Sequence, residues 1–80
     1  MIERTVTINS SFETRLAALL VQAAGKFNCK IHIKTDEITA NAKSIMGIIA
    51  LGVAEGQEVR LVAEGDDERQ AIQALEQFFR

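Results

Sequence analysis

Four short stretches of this chain alternate apolar and polar residues with a period of two, and three others carry apolar residues at spacings of three and four. The first pattern buries one side of a strand and the second one face of a helix, so their order along the chain nearly dictates a topology. Ile2, Val6 and Ile8 oppose Glu3, Thr5 and Thr7, which predicts a strand. Leu16, Leu19, Leu20, Ala23, Ala24 and Phe27 then line one face of a helix from Leu16 to Phe27, with Arg15, Gln22 and Lys26 off that face. Its start has two readings: Ser10-Ser11-Phe12-Glu13 as a capping box, or Glu13 itself at the cap ahead of Thr14.

Alternation returns where Cys29, Ile31 and Ile33 oppose Lys30, His32 and Lys34. Past Thr35-Asp36 it continues with Ile38, Ala40 and Ala42 opposing Glu37, Thr39 and Asn41, which predicts two strands joined by a short turn. Ser44 is placed to cap a short helix from Ile45 to Leu51 that ends at Gly52. A fourth strand sets Val59, Leu61 and Ala63 against Glu58, Arg60 and Glu64. Gly65-Asp66-Asp67 leads into a last helix whose Ala71, Ile72, Leu75, Phe78 and Phe79 share a face.

The order is βαββαβα, and each strand offers one apolar side. A sheet with one wet face needs cover on the other, so the expected fold is an α+β open-faced β-sandwich: a four-stranded, mainly antiparallel sheet with three helices on one face. Eighty residues suit one domain, 1–80, and 48% hydrophobic with 25% charged residues excludes a disordered class. Nine Lys plus Arg against eleven Asp plus Glu leave a formal charge of -2, so neither nucleic acid nor an anionic membrane is expected as a direct partner.

One cysteine forms no intrachain disulfide, and the first residues lack the basic-then-apolar layout of a secretory signal. The most apolar stretch, Ile45 to Ala54, runs about ten residues against the roughly 20 needed to span a bilayer. A cytoplasmic protein without a membrane segment is expected. With one His and one Cys, a Cys/His zinc cluster cannot be assembled, and a Ser-His-Asp set would have to be built on His32; no metal, cofactor or enzymatic activity is expected. His32 falls on the polar side of its strand and reads as a surface residue, and Cys29 falls on the apolar side and reads as core.

The short second helix carries Ile45, Met46, Ile48, Ile49 and Leu51 around more of its circumference than one buried face can take. Either it is wedged between the sheet and another helix, or part of it is an exposed patch that docks a protein partner, with Met46 suited to adaptable contacts. Ser44 reads either as a plain N-cap or as a phosphorylation site, where free N–H groups and the helix dipole favour a phosphate.

Two segments, Ser11-Phe12-Glu13-Thr14-Arg15-Leu16-Ala17-Ala18 and Asn41-Ala42-Lys43-Ser44-Ile45-Met46-Gly47-Ile48-Ile49-Ala50-Leu51-Gly52, together with the run from Ala63 to Glu68 and the element order, resemble the HPr family. These are small phosphocarrier proteins of the bacterial sugar phosphotransferase system, and the likeness covers essentially the whole chain. The second segment is similar to the regulatory serine region of HPr proteins that an ATP-dependent HPr kinase/phosphorylase modifies. The resemblance therefore implies phosphorylation at Ser44.

The first segment departs from the family. Carrier proteins have Gly-Leu-His-Thr-Arg-Pro-Ala-Ala, whose histidine takes phosphate from enzyme I and passes it to a sugar-specific enzyme IIA. Here Ser11 stands at the glycine, Glu13 at the histidine and Leu16 at the proline, while Thr14 and Arg15 persist. A carboxylate does not replace a tuned ring nitrogen as a reversible carrier, so Glu13, Thr14 and Arg15 read as a degenerate phosphocarrier site. Glu13 acts either as a fixed negative charge that mimics a phosphorylated carrier or as a cap left after catalytic loss.

The pattern resembles the catabolite-repression paralogues, which lack the histidine, keep the serine and usually have glutamine where this chain has Glu13. The resemblance implies a regulatory protein of carbon catabolite control that is phosphorylated at Ser44. It would bind a catabolite-control transcriptional regulator through Arg15, Ile45, Met46 and Ile49. A phosphocarrier HPr and a constitutive interaction module remain the alternatives, and edge pairing of the first strand allows a monomer or a weak homodimer.

Overall fold

The computed structural model describes residues 1–9, 14–52 and 54–79. The elements are β1 (Ile2–Thr7), α1 (Thr14–Ala24), β2 (Lys30–Lys34), β3 (Thr39–Asn41), α2 (Ile45–Ala50), β4 (Glu58–Glu64) and α3 (Glu68–Glu76), and a 3-10 turn at Gln77–Phe79 continues α3. Order and type match the periodicities. Across the sheet the strands lie β1-β4-β2-β3, and every neighbouring pair is antiparallel. Chain order alone does not give that arrangement: the last strand inserts between β1 and β2, with Ala63 opposite Ile2 on one side and Ile31 on the other.

The apolar parities of the strands meet the helices on one side. Leu20, Ile31, Ile33, Ile48, Leu61, Ile72 and Leu75 are fully buried there. Helix α3 packs on β4 and β1, α2 packs on β3, and α1 rests against both other helices. The opposite face is open and carries Glu3, Thr5, His32, Lys34, Arg60 and Thr39. Val62 lies on that face yet is only 5% exposed. It occupies the centre of the sheet between Glu3 and His32, and cross-strand neighbours are enough to cover a small β-branched side chain.

Boundaries move where local geometry ends an element early. Helix α1 stops at Ala24, and Gly25, Lys26 and Phe27 form a turn in which the last two N–H groups bond three residues back, to Ala23 and Ala24. Leu19, expected in the core, is 47% exposed. The buried stripe of α1 runs through Ala17, Leu20 and Ala24, and at 3.6 residues per turn Leu19 points about 130° away from its centre. Strand β3 begins at Thr39, so Ile38 is left at the hairpin tip, 42% exposed, while Ala40 and Ala42 are buried as expected. Ser10, Ser11 and Glu13, and with them both proposed caps of α1, lie outside the described residues.

The start of α3 differs from a simple cap. Asp67 occupies the N-cap position but makes no side-chain cap bond. Its carboxylate instead accepts from the N–H groups of Asn28, at 2.8 Å, and Cys29, at 3.0 Å, tying the front of β2 to the front of α3. Glu68 takes over the local role by accepting from the N–H of Gly65 at 3.1 Å. On the open face Arg60 reaches towards Glu3 and Asp36, while on the helix-covered side Arg4 of β1 reaches Glu76 of α3.

Candidate functional site

The start of α2 is held by short local bonds. After β3, the side chain of Asn41 accepts from the N–H of Lys43 at 2.8 Å, and its carbonyl accepts from the N–H of Ser44 at 3.0 Å. This places Ser44 in an extended conformation, φ -114° and ψ 114°, the usual backbone of an N-cap. Its Oγ accepts from the N–H of Gly47 at 3.2 Å, and its carbonyl receives the N–H of Ile48. The hydroxyl is half-buried, and its own proton is not consumed by this cap. Gly47 keeps the space over it free: a Cβ at that position would stand 3.5 Å from the hydroxyl oxygen. At the other end Gly52 closes the helix with φ 60°, a conformation that favours glycine.

Helix α2 is divided. Ile48 and Leu51 enter the core, and Ile45 is partly buried against it. Met46, 71% exposed, and Ile49, 45% exposed, face solvent. One side of the helix is thus wedged against the core, and the other leaves apolar side chains exposed. Leu19 adds a third exposed apolar side chain on α1, which packs against α2. Sequence periodicity assigned Leu19 to the core; its offset from the Ala17, Leu20 and Ala24 stripe was the signal that placed it outside.

Arg15 is exposed in the first turn of α1, and Thr14 opens that helix. Glu13 lies outside the described residues, so the degenerate carrier position rests on sequence. The ammonium of Lys43, which the sequence offered only as the neighbour of Ser44, donates to the carbonyl of Phe27 at 2.7 Å.

The remaining candidates lie apart from this site. His32 is half-buried on the open face of the sheet, opposite Val62 and Asn41. Cys29 is buried, and desolvation, followed by the nearby Asp67 carboxylate, pushes its thiol above the usual range, which disfavours the thiolate. The Asp67 carboxyl is held below its usual value, chiefly by the Asn28 N–H. Among the described residues no group of three or more His, Cys, Asp or Glu is arranged to hold a metal, and no helix is long and apolar enough to cross a membrane.

Comparison with known proteins accounts for the same segments. The family profile described as the PTS HPr component phosphorylation site matches residues 2–80. The phosphocarrier protein HPr of Treponema pallidum is 44% identical, covering 100% of this chain and 93% of the relative. The HPr-like protein Crh of Bacillus subtilis is 41% identical over 88% of this chain and 82% of the relative. The crystal structure of HPr-C-His from Thermoanaerobacter tengcongensis superposes with a TM-score of 0.90 at 47% identity, covering 99% of this chain and 91% of that one. With the sheet order, the N-capped serine and a profile match over nearly its full length, the chain belongs to the HPr family, whose members include both phosphocarrier HPr and Crh-like proteins.

Proposed function

We propose that this chain is a regulatory, non-enzymatic HPr-like protein of carbon catabolite control, switched by phosphorylation of Ser44 and acting by binding other proteins. The observation that carries this reading is the half-buried Ser44 hydroxyl at the head of a short helix whose Met46 and Ile49 face solvent. A phosphate on Ser44 would add a dianion beside that apolar patch and close to the dipole and N–H groups of the helix. It would form charge-assisted bonds with arginines of one partner and repel acidic groups of another. HPr kinase/phosphorylase is the modifying enzyme in this reading. A catabolite-control transcriptional regulator is the phospho-dependent partner, contacted by Met46, Ile49, the exposed part of Ile45 and the Arg15 guanidinium.

The carrier reading is supported by the likeness to the Treponema pallidum phosphocarrier. Against it, Glu13 stands where the family has its histidine, and the chain's one imidazole, His32, belongs to the sheet. In a third reading the same surface binds constitutively. The protein is proposed to work in the cytoplasm as a monomer or weak homodimer, since β1 forms one edge of the sheet.

The test is the intact mass of wild type and Ser44→Ala after incubation with HPr kinase and ATP, with a known HPr modified in parallel. One phosphate on wild type alone is the expected result. None on either protein would replace the switch with the constitutive module. Stable labelling by enzyme I and phosphoenolpyruvate would instead make the chain a carrier.

A further inference from the structure

The C-terminal end of α1 has no basic residue in its own last turn. Lys26 follows in the closing turn, and a second cation comes from outside the helix, as Lys43 Nζ, 16 residues beyond Phe27, donates to the Phe27 carbonyl at 2.7 Å. That carbonyl lies in the turn that closes the helix, where the N–H groups of Gly25, Lys26 and Phe27 fold back on Val21, Ala23 and Ala24. A cation there complements the negative end of the helix dipole and satisfies a carbonyl outside the helical ladder. The backbone of Lys43 is meanwhile fixed by the Asn41 side chain, and the next N–H, that of Ser44, by the Asn41 carbonyl. The segment ahead of α2 is thus tied to β3 on one side and to the end of α1 on the other.

We infer that Lys43 is a positioning residue for Ser44: its side chain locks the start of α2 to the end of α1, so that the serine hydroxyl is presented in a fixed relation to the α1 surface carrying Arg15 and Leu19. This deepens the proposed serine switch and rests on it. A partner that reads both helices binds only the locked arrangement, and its apparent affinity scales with the fraction of molecules that are locked. An exposed cation at a helix C-terminus shifts such an equilibrium about two- to five-fold at low ionic strength. Loss of the lysine should therefore raise KM for phosphorylation of Ser44, by at most that factor, and leave kcat nearly unchanged. The chemical step is the same, Ser44 Oγ bonding to the γ-phosphorus of ATP as ADP leaves and the hydroxyl proton is released; only the presentation of the hydroxyl differs.

The experiment compares the full chain with Lys43→Met and Lys43→Arg. Amide hydrogen exchange is followed by NMR in the free proteins, and kinetics of phosphorylation are measured with HPr kinase and ATP. In Lys43→Met, exchange at Phe27 and Gly47 should quicken with the Leu61 and Leu75 amides unchanged and KM should rise, the two increases multiplying to about two- to five-fold, and Lys43→Arg should restore both. Wild-type exchange at Phe27 and Gly47 in Lys43→Met would overturn the lock, and so would a raised KM without faster exchange, which would mark a direct contact with the kinase. If wild type takes no phosphate, the serine switch fails by itself, and the exchange rates still decide whether Lys43 joins the two helices.

Discussion

The Asp67 carboxylate accepts a hydrogen bond from the backbone N–H of Cys29 at 3.0 Å, across 38 residues of sequence. A second bond, from the Asn28 N–H, makes this carboxylate the polar link between the start of β2 and the start of α3. Both donors are main-chain groups at the beginning of a strand, where the ladder does not yet supply a partner. Bonds from backbone N–H groups favour the ionised form, which is why the Asp67 carboxyl is held below the usual carboxylate range.

The sign of the resulting pH dependence follows from linkage. A carboxyl whose pKa is lower in the folded state binds fewer protons there than in the unfolded chain. Its stabilisation is complete above the unfolded value of about 3.9 and is lost as pH falls through the folded value. Asp67→Ala should therefore melt below wild type at pH 7, with the gap between the two narrowing below about pH 4. Thermal melts from pH 7 to pH 2 measure this, and a gap independent of pH would show that the charge of Asp67 contributes nothing.

Gly65 sits against the same junction. Its φ is 151°, and a Cβ added there would stand 2.6 Å from Cys29 Cβ and 2.7 Å from Cys29 Cα, distances that require the backbone to shift. Gly56 also has positive φ, 89°, but open space around it. Gly65→Ala should cost about 1–3 kcal/mol for overpacking in addition to its backbone strain. Gly56→Ala should cost only the strain, about 1–2 kcal/mol. Urea denaturation of the two variants separates these contributions, and equal costs would mean that the approach to Cys29 is relieved without penalty.

Periodicity carried the type and order of the elements, though not the order of strands across the sheet, because each strand has one wet side and each helix one dry face, as Ile31 and Ile33 on β2 and Ile72 and Leu75 on α3 illustrate. It carried less where burial depends on position within an element. Leu19 points away from the buried stripe, Ile38 lies past the end of its strand, and Val62 is covered only because β4 is central in the sheet. Contacts that join distant residues through one rotamer have no period, so neither the Asp67 tether nor the bond from Lys43 to Phe27 was readable from spacing. At the candidate site, Ser44 was found because an N-cap is a local pattern, and the structure gives it the expected bond to Gly47. Arg15 and Met46 were expected on the surface and are there, whereas Glu13 lies outside the described residues.

The division of α2 makes its two faces separable by mutation. Ile48 is fully buried, so Ile48→Ala should cost about 2–5 kcal/mol through lost transfer energy and a cavity. Met46 is mostly in water, so Met46→Ala should change stability by less than about 0.5 kcal/mol. If the exposed face docks a partner, Met46→Ala should instead weaken capture of the phosphorylated protein by a catabolite-control regulator, read by calorimetric titration. Full retention of affinity in both Met46→Ala and Ile49→Ala would remove the patch from the interface.

Gly47 sets stability against access to the hydroxyl. Inside a helix glycine is less favourable than alanine by about 0.5–1 kcal/mol, and the φ of Gly47 is one that alanine adopts freely. A methyl group there meets Ser44 Oγ at 3.5 Å, Ser44 Cβ at 3.6 Å and Ala40 Cβ at 3.7 Å, all ordinary contacts. Gly47→Ala should therefore fold and gain about 0.5–1 kcal/mol, a rise in Tm of a few degrees for a chain of this size. The same methyl stands beside the oxygen that must be approached in line by a transferring phosphoryl group, and it shields one side of it. Phosphorylation of Gly47→Ala by HPr kinase should accordingly be slower than that of wild type although the variant melts higher. A higher Tm with an unchanged phosphorylation rate would mean that the glycine serves only to let Ser44 and Ala40 pack closely, and that the kinase approaches the hydroxyl from another side.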